Sequence, residues 1–295
     1  MLFKEYKSTF IQELAPLYDQ REIESFFYIF LESFHNKKRI DLALYPEMEM
    51  SASDLLRWEL VLADLIKEKP IQYILGETEF YSLPFLVNKS TLIPRPETEE
   101  LVEWIISDFN NSQPAIRNLQ LLDIGTGSGC IAISLAKSLP NAIVSAIDVS
   151  EKALIIAKKN ASINKVLVNL IHADILLVSD LCELVASNSQ PKTKFDIIVS
   201  NPPYVRNLEK EEIKPNVLEY EPHLALFVDD IDALLFYRKI AQLAKKNLSE
   251  HGLLYFEINQ YLGKETVELL ENVGFKNIEL RKDIYGNDRM IRCTR

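Results

Sequence analysis

One stretch in three parts most constrains what this chain can fold into. Leu119-Gln120-Leu121-Leu122-Asp123-Ile124 is an apolar run of strand length, Gly125-Thr126-Gly127-Ser128-Gly129 follows it, and Cys130 to Leu139 reads as a helix. Strand, glycine loop and helix open a nucleotide-binding βαβ unit, and so an α/β fold. The glycines let the backbone approach a ligand closely, and the helix N-terminus favours an anionic or carboxylate group. The spacing is GxGxG, not the GxGxxG of the dinucleotide fingerprint, so the loop alone does not name its ligand.

The elements that follow keep the same alternation. Ala142 to Ile147 is a second strand ending on Asp148, about 20 residues past the loop, where an acidic residue accepts from ribose hydroxyls. Asp148 is equally placed to cap the helix from Glu151 to Asn160, and the two roles are compatible. Leu167 to Ile171 is a third strand, followed by His172-Ala173-Asp174-Ile175. Asp174 and Ile175 either face an adenine edge or belong to a solvated loop, and His172 reads as a bystander. Residues 179 to 194 read as a loop flanking a short helix.

Phe195-Asp196-Ile197-Ile198-Val199-Ser200 is a buried parallel strand that stops abruptly at Asn201-Pro202-Pro203-Tyr204. That places the four residues at the carboxyl edge of the sheet, where open α/β folds bind ligands. Asn201 offers an acceptor oxygen and a donor amide. The prolines stiffen the loop and leave its carbonyls free, and Tyr204 offers a flat face for a planar group. Such a set suits methylation of a planar, weakly nucleophilic NH2. The Asn201 side-chain oxygen and the Pro202 carbonyl accept its two N–H groups and aim the nitrogen at an activated methyl, with no strong base needed. The plainer reading is a surface turn, since Asn-Pro commonly starts one.

After the tetrad, the segment to Asp230 is acidic and irregular, with Pro215 and Pro222, and reads as a long loop beside the substrate entrance. Leu234 to Asn247 is a helix, Gly252 to Ile258 a strand, and Glu265 to Val273 a helix closed by Gly274. Lys276 to Arg281 and Arg289 to Thr294 read as a final, antiparallel strand pair.

Upstream, residues 1 to 75 read as a separate helical domain. Leu14, Leu17, Ile23, Phe26, Phe27, Phe30, Leu31 and Phe34 recur at helical spacing, as do Leu55, Leu56, Leu60, Leu62, Leu65 and Ile66. The aromatic stripe reads as core, and partner recognition is the domain's expected task. Pro70 to Gly76 and Glu79 to Val87 read as two extended runs around a turn, a β-hairpin linker over residues 76–95. The catalytic domain then spans 96–295. Pro94-Arg95-Pro96-Glu97-Thr98-Glu99 starts the helix from Thr98 to Asp108; Arg95, held between prolines, either serves that start or sits over the pocket.

Composition bounds the rest. A chain of 295 residues fits about two domains of ~150 residues. The net charge of −10 argues against a broad duplex-binding surface. Cys130, Cys182 and Cys293 are odd in number and far apart, so reduced thiols are expected and neither a disulfide framework nor a metal site. No apolar run approaches a membrane span, and the start lacks a signal-peptide core, so a cytoplasmic protein is expected.

From about Gln72 onward the chain resembles the release-factor glutamine N5-methyltransferases, the PrmC/HemK family. The resemblance is carried by Ile93-Pro94-Arg95-Pro96-Glu97-Thr98-Glu99, Leu122 to Gly129, Ile147-Asp148 and Val199 to Val205. Glu221-Pro222, Ala225-Leu226, Asp283, Gly286 and Arg289 add to it. It implies a seven-stranded Rossmann-like sheet with a helical N-terminal domain, and S-adenosylmethionine as cofactor. The implied substrate is the glutamine of the Gly-Gly-Gln motif in class I peptide-chain release factors. By position, Gly125, Thr126, Gly127, Ser128 and Gly129 would hold the methionine part, Asp148 the ribose, and Asp174 and Ile175 the adenine. Asn201, Pro202, Pro203 and Tyr204 would hold the glutamine amide. The segment Phe227-Val228-Asp229-Asp230 and the strand end Glu257-Ile258-Asn259-Gln260 depart from the family's glycine-bearing pattern. Three rivals remain. The sister enzyme acting on a ribosomal-protein glutamine shares the tetrad but not the Pro94–Thr98 segment. An adenine-N6 methyltransferase would use a similar loop on a flipped base. An oxidoreductase or binding module would use the glycine loop alone. A monomer with no stable nucleic-acid partner is expected.

Overall fold

The computed structural model describes residues 1–110, 118–186 and 194–295. The chain divides into two compact units, Met1–Gly76 with Pro215–Tyr220, and Glu77–Lys214 with Glu221–Arg295.

The first unit is helical: α1 (Phe3–Leu14), α2 (Gln20–His35), α3 (Arg39–Leu44), α4 (Ala52–Ile66) and α5 (Ile71–Leu75). Asp19 caps α2 by accepting from the Arg21 and Glu22 amides at 2.8 and 3.0 Å. The same helix ends on Asn36 in the left-handed region, φ 52°. Ser51 and Asp54 cap α4 reciprocally, at 3.0 and 3.1 Å. Phe10, Leu14, Ile23, Phe27, Phe30 and Leu31 close around Trp58, all fully buried, so the aromatic stripe is core. Leu56 and Leu60 point outward and stay exposed. Trp58 Nε1 donates to His35 Nε2 at 3.0 Å. One expectation fails here: Pro70–Gly76 is not extended. Pro70 precedes the turn of α5, which is closed by Gly76 at φ 79°, its amide donating to the Gln72 carbonyl at 2.8 Å, the proline-first, glycine-last pattern of a helix.

The second unit opens with the hairpin β1 (Glu77–Phe80) and β2 (Leu83–Leu86), turned at Tyr81-Ser82 with φ 49° and 58°. Next come α6 (Pro96–Asn110), β3 (Gln120–Ile124), α7 (Cys130–Ser138), β4 (Ile143–Asp148), α8 (Glu151–Asn164), β5 (Asn169–His172), α9 (Leu181–Val185) and β6 (Phe195–Ser200). The short helix expected within 179–194 is α9; residues 187–193 lie outside the described residues. The stretch from Tyr204 to Asp230 is more ordered than a loop. It forms β7 (Val205–Arg206), a 3-10 turn at Asn207–Glu212, α10 (Pro215–Tyr220), α11 (His223–Leu226) and β8 (Phe227–Val228), with β7 and β8 paired in parallel. Its prolines do not prevent this: Pro215 begins one helix and Pro222 precedes another, positions that tolerate a missing N–H. The chain closes with α12 (Leu235–Asn247), β9 (Leu248–Glu257), α13 (Gly263–Val273), β10 (Lys276–Lys282) and β11 (Asp288–Thr294).

Seven strands form one sheet in the order β10-β11-β9-β6-β3-β4-β5, with β11 antiparallel to both neighbours and the other pairs parallel. The expected seven-stranded α/β sheet is therefore present. Neighbouring residues enter opposite layers: Leu121, Ile197 and Tyr255 pack with α6 and α7, Leu122, Ile198 and Phe256 with α12 and α13. Burial on both faces explains why the strands read as continuous apolar runs. Asn160 of α8 brackets Leu86 of the hairpin, its Oδ1 accepting from the amide at 2.7 Å and its Nδ2 donating to the carbonyl at 3.0 Å. Among the described residues no helix is long and apolar enough to cross a membrane.

Candidate active site

From β3 the chain runs to β4 on one side and later to β6 on the other, so a crevice opens at the carboxyl ends of these strands. A cavity of about 400 Å³ occupies it. Its wall includes Gly125, Thr126, Gly127 and Ser128, Asp148, Asp174 and Ile175, Asn201, Pro202 and Pro203, and Arg95. Residues read from five separated sequence segments thus meet on one surface. Two expected members do not line it, Gly129 and Tyr204.

The glycine loop is built by hydrogen bonds that return to β4. The amides of Gly125 and Thr126 both donate to the Ile147 carbonyl, at 2.8 and 3.0 Å. The Gly127 amide donates to Asp148 Oδ2 at 2.7 Å, and the Ser150 amide to Oδ1 at 2.8 Å. Asp148 therefore shapes the loop and the turn into α8 while facing the cavity; the helix cap expected of it is Ser150, whose Oγ accepts from the Ala153 amide at 3.2 Å. Burial pushes the Asp148 carboxyl up from the usual range, and the Ser150 and Gly127 amides pull against that. Asp123 beneath the loop accepts from Thr126 Oγ1 at 2.6 Å; burial pushes its pKa up to about 7. The loop's far end is fixed from α8, where Asn160 Nδ2 donates to the Ser128 carbonyl at 2.8 Å. Gly129 serves packing. A Cβ there would stand 2.8 Å from Ile133 Cδ1 and 3.2 Å from Ala157 Cβ, and its φ is +84°.

The Asn-Pro-Pro turn leaves β6 beside that loop. Ser200 Oγ donates to the Ile124 carbonyl at 2.6 Å, tying the two strand ends together. Asn201 Nδ2 lies 3.5 Å from Thr98 Oγ1, and Thr98 donates at 2.6 Å to Glu257 Oε2. Tyr204 turns away from the cavity. Its ring packs on the core, its hydroxyl donates to Glu257 Oε1 at 3.1 Å, and its carbonyl accepts from Asn259 Nδ2 at 2.8 Å. Tyr204, expected to offer a flat face to a planar group, is thus held by its hydroxyl on a buried carboxylate and does not line the cavity. Arg95 does reach the wall. Its Nη2 donates to Glu221 Oε1 at 2.6 Å, while Glu221 Oε2 accepts from the Ile93 amide at 3.2 Å.

Known proteins align with this architecture. Residues 10–76 match the PrmC N-terminal domain, and residues 103–220 the Methyltransferase small domain. The release factor glutamine methyltransferase of Flavobacterium psychrophilum is 64% identical over 294 residues, covering 100% of this chain and 99% of its own. This chain belongs to that family. The Bacteroides thetaiotaomicron member is 41% identical, with 96% of this chain and 97% of its own covered. Among solved structures, the hMettl16 catalytic domain in complex with MAT2A 3'UTR hairpin 1 superposes with TM-score 0.54 at 15% identity, covering 84% of this chain and 82% of its own. That last likeness shows a shared methyltransferase fold alone.

Three residues of the site have no role there that the sequence by itself assigns. Thr98 reads in the sequence as a helix start within the Ile93–Glu99 motif, Glu257 as a strand end, and Asn160 as the end of a helix. Glu257 had one signal, a carboxylate inside the apolar run Leu253 to Ile258. It is buried to 1% exposure, and burial pushes its carboxyl up, opposed by Thr98, the nearby Arg289 charge and Tyr204.

Proposed function

We propose that this chain transfers a methyl group from S-adenosylmethionine to the side-chain amide nitrogen (N5) of the glutamine in the Gly-Gly-Gln motif of class I peptide-chain release factors. The observation that carries this reading is the 64% identity, along the whole chain, to a relative named for that activity. The cavity supports the chemistry. When bound, S-adenosylmethionine supplies a methyl group activated by its sulfonium.

The residues present fit that cofactor. Gly127, at φ +57°, has nothing within 4 Å of where a Cβ would stand, which leaves backbone open to close approach. Asp148 keeps lone pairs beyond its two amide bonds, enough to accept from ribose hydroxyls. Asp174 and Ile175 form the wall assigned to adenine. On the substrate side, Asn201 Oδ1 and the Pro202 carbonyl accept the two N–H groups of the glutamine amide. Pro203 and Arg95 complete that wall, and Tyr204 acts by anchoring the turn. Transfer is in line, and positioning is the main catalytic device. The protein acts as a cytoplasmic monomer on a protein substrate, which its net charge of −10 suits better than nucleic acid.

The test is a transfer assay with methyl-labelled cofactor. The acceptors are purified release factor, the same factor with its motif glutamine replaced, the ribosomal protein of the sister reaction, and nucleic acid. Label on the intact factor alone is expected, and Asn201→Ala should abolish it while cofactor affinity stays within about twofold. Label on the ribosomal protein or nucleic acid alone would overturn the assignment.

A further inference from the structure

We propose that Glu257, acting through Thr98, sets which way the Asn201 side-chain amide faces, and so makes Asn201 an acceptor toward the substrate. This rests on the reading of Asn201 as the residue that holds the glutamine amide.

An asparagine side chain is nearly symmetric in shape and opposite in polarity at its two ends. Turned one way, Asn201 offers an oxygen to the substrate NH2. Turned the other way it offers its own NH2, and donor meets donor. Nothing in the shape of the cavity distinguishes these states, so a polar neighbour must.

Glu257 supplies the asymmetry. As a carboxylate, the form that the Thr98 hydroxyl, the Arg289 charge and the Tyr204 hydroxyl favour against burial, Glu257 only accepts. Its Oε2 takes the single hydroxyl proton of Thr98 at 2.6 Å. The Thr98 oxygen is then left with lone pairs alone, so it faces a donor, and Asn201 Nδ2 at 3.5 Å is that donor. Polarity therefore passes along the chain Glu257–Thr98–Asn201 without a break, leaving Asn201 Oδ1 for the substrate. Glu257 is 1% exposed and Thr98 is 2% exposed, so bulk water does not compete for the bond between them. Glu257 Oε1 also accepts from the Tyr204 hydroxyl at 3.1 Å, so one carboxylate holds the first and last residues of the Asn-Pro-Pro-Tyr turn. Thr98 lines the cavity and Glu257 does not. Both are positioning residues; neither needs to touch the reacting nitrogen.

The test uses the full-length chain with Thr98→Val, which keeps the shape and removes the hydroxyl, and Thr98→Ser, which keeps the hydroxyl. In the release-factor transfer assay, Thr98→Val should lower kcat about 100-fold, the scale of a misplaced reacting group, with a much smaller change in KM. Cofactor affinity, which also reports folding, should stay within about twofold. Thr98→Ser should recover kcat to within about threefold of the parent. Equal kcat in Thr98→Val and the parent, or equal damage in both variants, would overturn the relay. A second readout needs no substrate: the Asn201 side-chain NH2 pair in a 15N-labelled sample, assigned by its loss in Asn201→Asp. It should shift in Thr98→Val and stay in place in Thr98→Ser; an unmoved signal in Thr98→Val would refute the relay. If the parent chain leaves release factor unlabelled, the substrate assignment falls and the NH2 signal decides the relay by itself.

Discussion

Gly127 and Gly129 stand two residues apart in one loop and answer to different demands. Both have left-handed backbones, at φ +57° and +84°. Open space surrounds a Cβ at Gly127, whereas at Gly129 it would meet Ile133 Cδ1 at 2.8 Å and Ala157 Cβ at 3.2 Å. Gly129→Ala should therefore cost about 2–4 kcal/mol of stability, from backbone strain and overpacking together. Gly127→Ala should cost only about 1 kcal/mol, the backbone term alone, but weaken cofactor binding about tenfold or more, because the new methyl stands on the cavity wall. Urea unfolding and cofactor titration on both variants check the pair; a reversed pattern would mean that the two roles are exchanged. The sequence makes both glycines visible and does not separate them, since what distinguishes them is α8 packing against the loop. The same limit hid Glu257, whose partner Thr98 lies 159 residues away. The place of Asp148 on the cavity wall is legible because it follows from the strand end it occupies.

Elements with local causes are legible in the sequence, and those with tertiary causes less so. The parallel strands announce themselves as apolar runs because both faces are buried, and α13 announces its end through Gly274 at φ 92°. The turn of α5 is hard to see in the sequence because five residues show no period, leaving only Pro70 and Gly76 as signals. Trp58 shows how far an element can depend on one contact. It sits on α4, yet its indole N–H is accepted by His35 at the end of α2, and the two rings lie parallel at 6.2 Å. That bond requires His35 Nε2 to carry a lone pair. Burial lowers the His35 pKa; Asp54 works against this and Arg57 with it. The sign follows. The unfolded imidazole takes up its proton near pH 6.5, before the folded one does. Stability is fully present above that pH and is lost as pH falls through the lowered folded value. Urea unfolding at pH 7.5 and 5.5 should therefore show a larger acid loss for the parent than for His35→Gln, which keeps an acceptor without titrating. Equal losses would mean that His35 carries no such linkage.

At the scale of the whole chain, the site depends on segments far apart in sequence returning to one sheet edge. The order β9-β6-β3-β4 puts the ends of β3, β4 and β6 side by side, which a list of strands does not reveal. Nor does the sequence disclose that Pro215–Tyr220, within the stretch that follows the tetrad, belongs to the helical unit, where the Tyr220 hydroxyl donates to the Lys67 carbonyl at 2.9 Å. Arg95 and Glu221, 126 residues apart, are one such closure within the catalytic unit. Their side chains are unequally buried, at 33% and 1% exposure. Removing Glu221 leaves a guanidinium that still reaches water, whereas removing Arg95 strands a buried carboxylate on the Ile93 amide alone. The two single changes should then differ, although they break the same bond. Arg95→Met should cost about 3 kcal/mol, the lower end for an uncompensated buried charge, and Glu221→Gln about 1 kcal/mol. The double variant should lie near Glu221→Gln, because neutralising the carboxylate removes what made the loss of Arg95 costly. Urea unfolding of the four chains tests this directly. Additive losses in the double variant would mean that Arg95 stabilises the segment through its own packing and that the ion pair is incidental to closing the cavity wall.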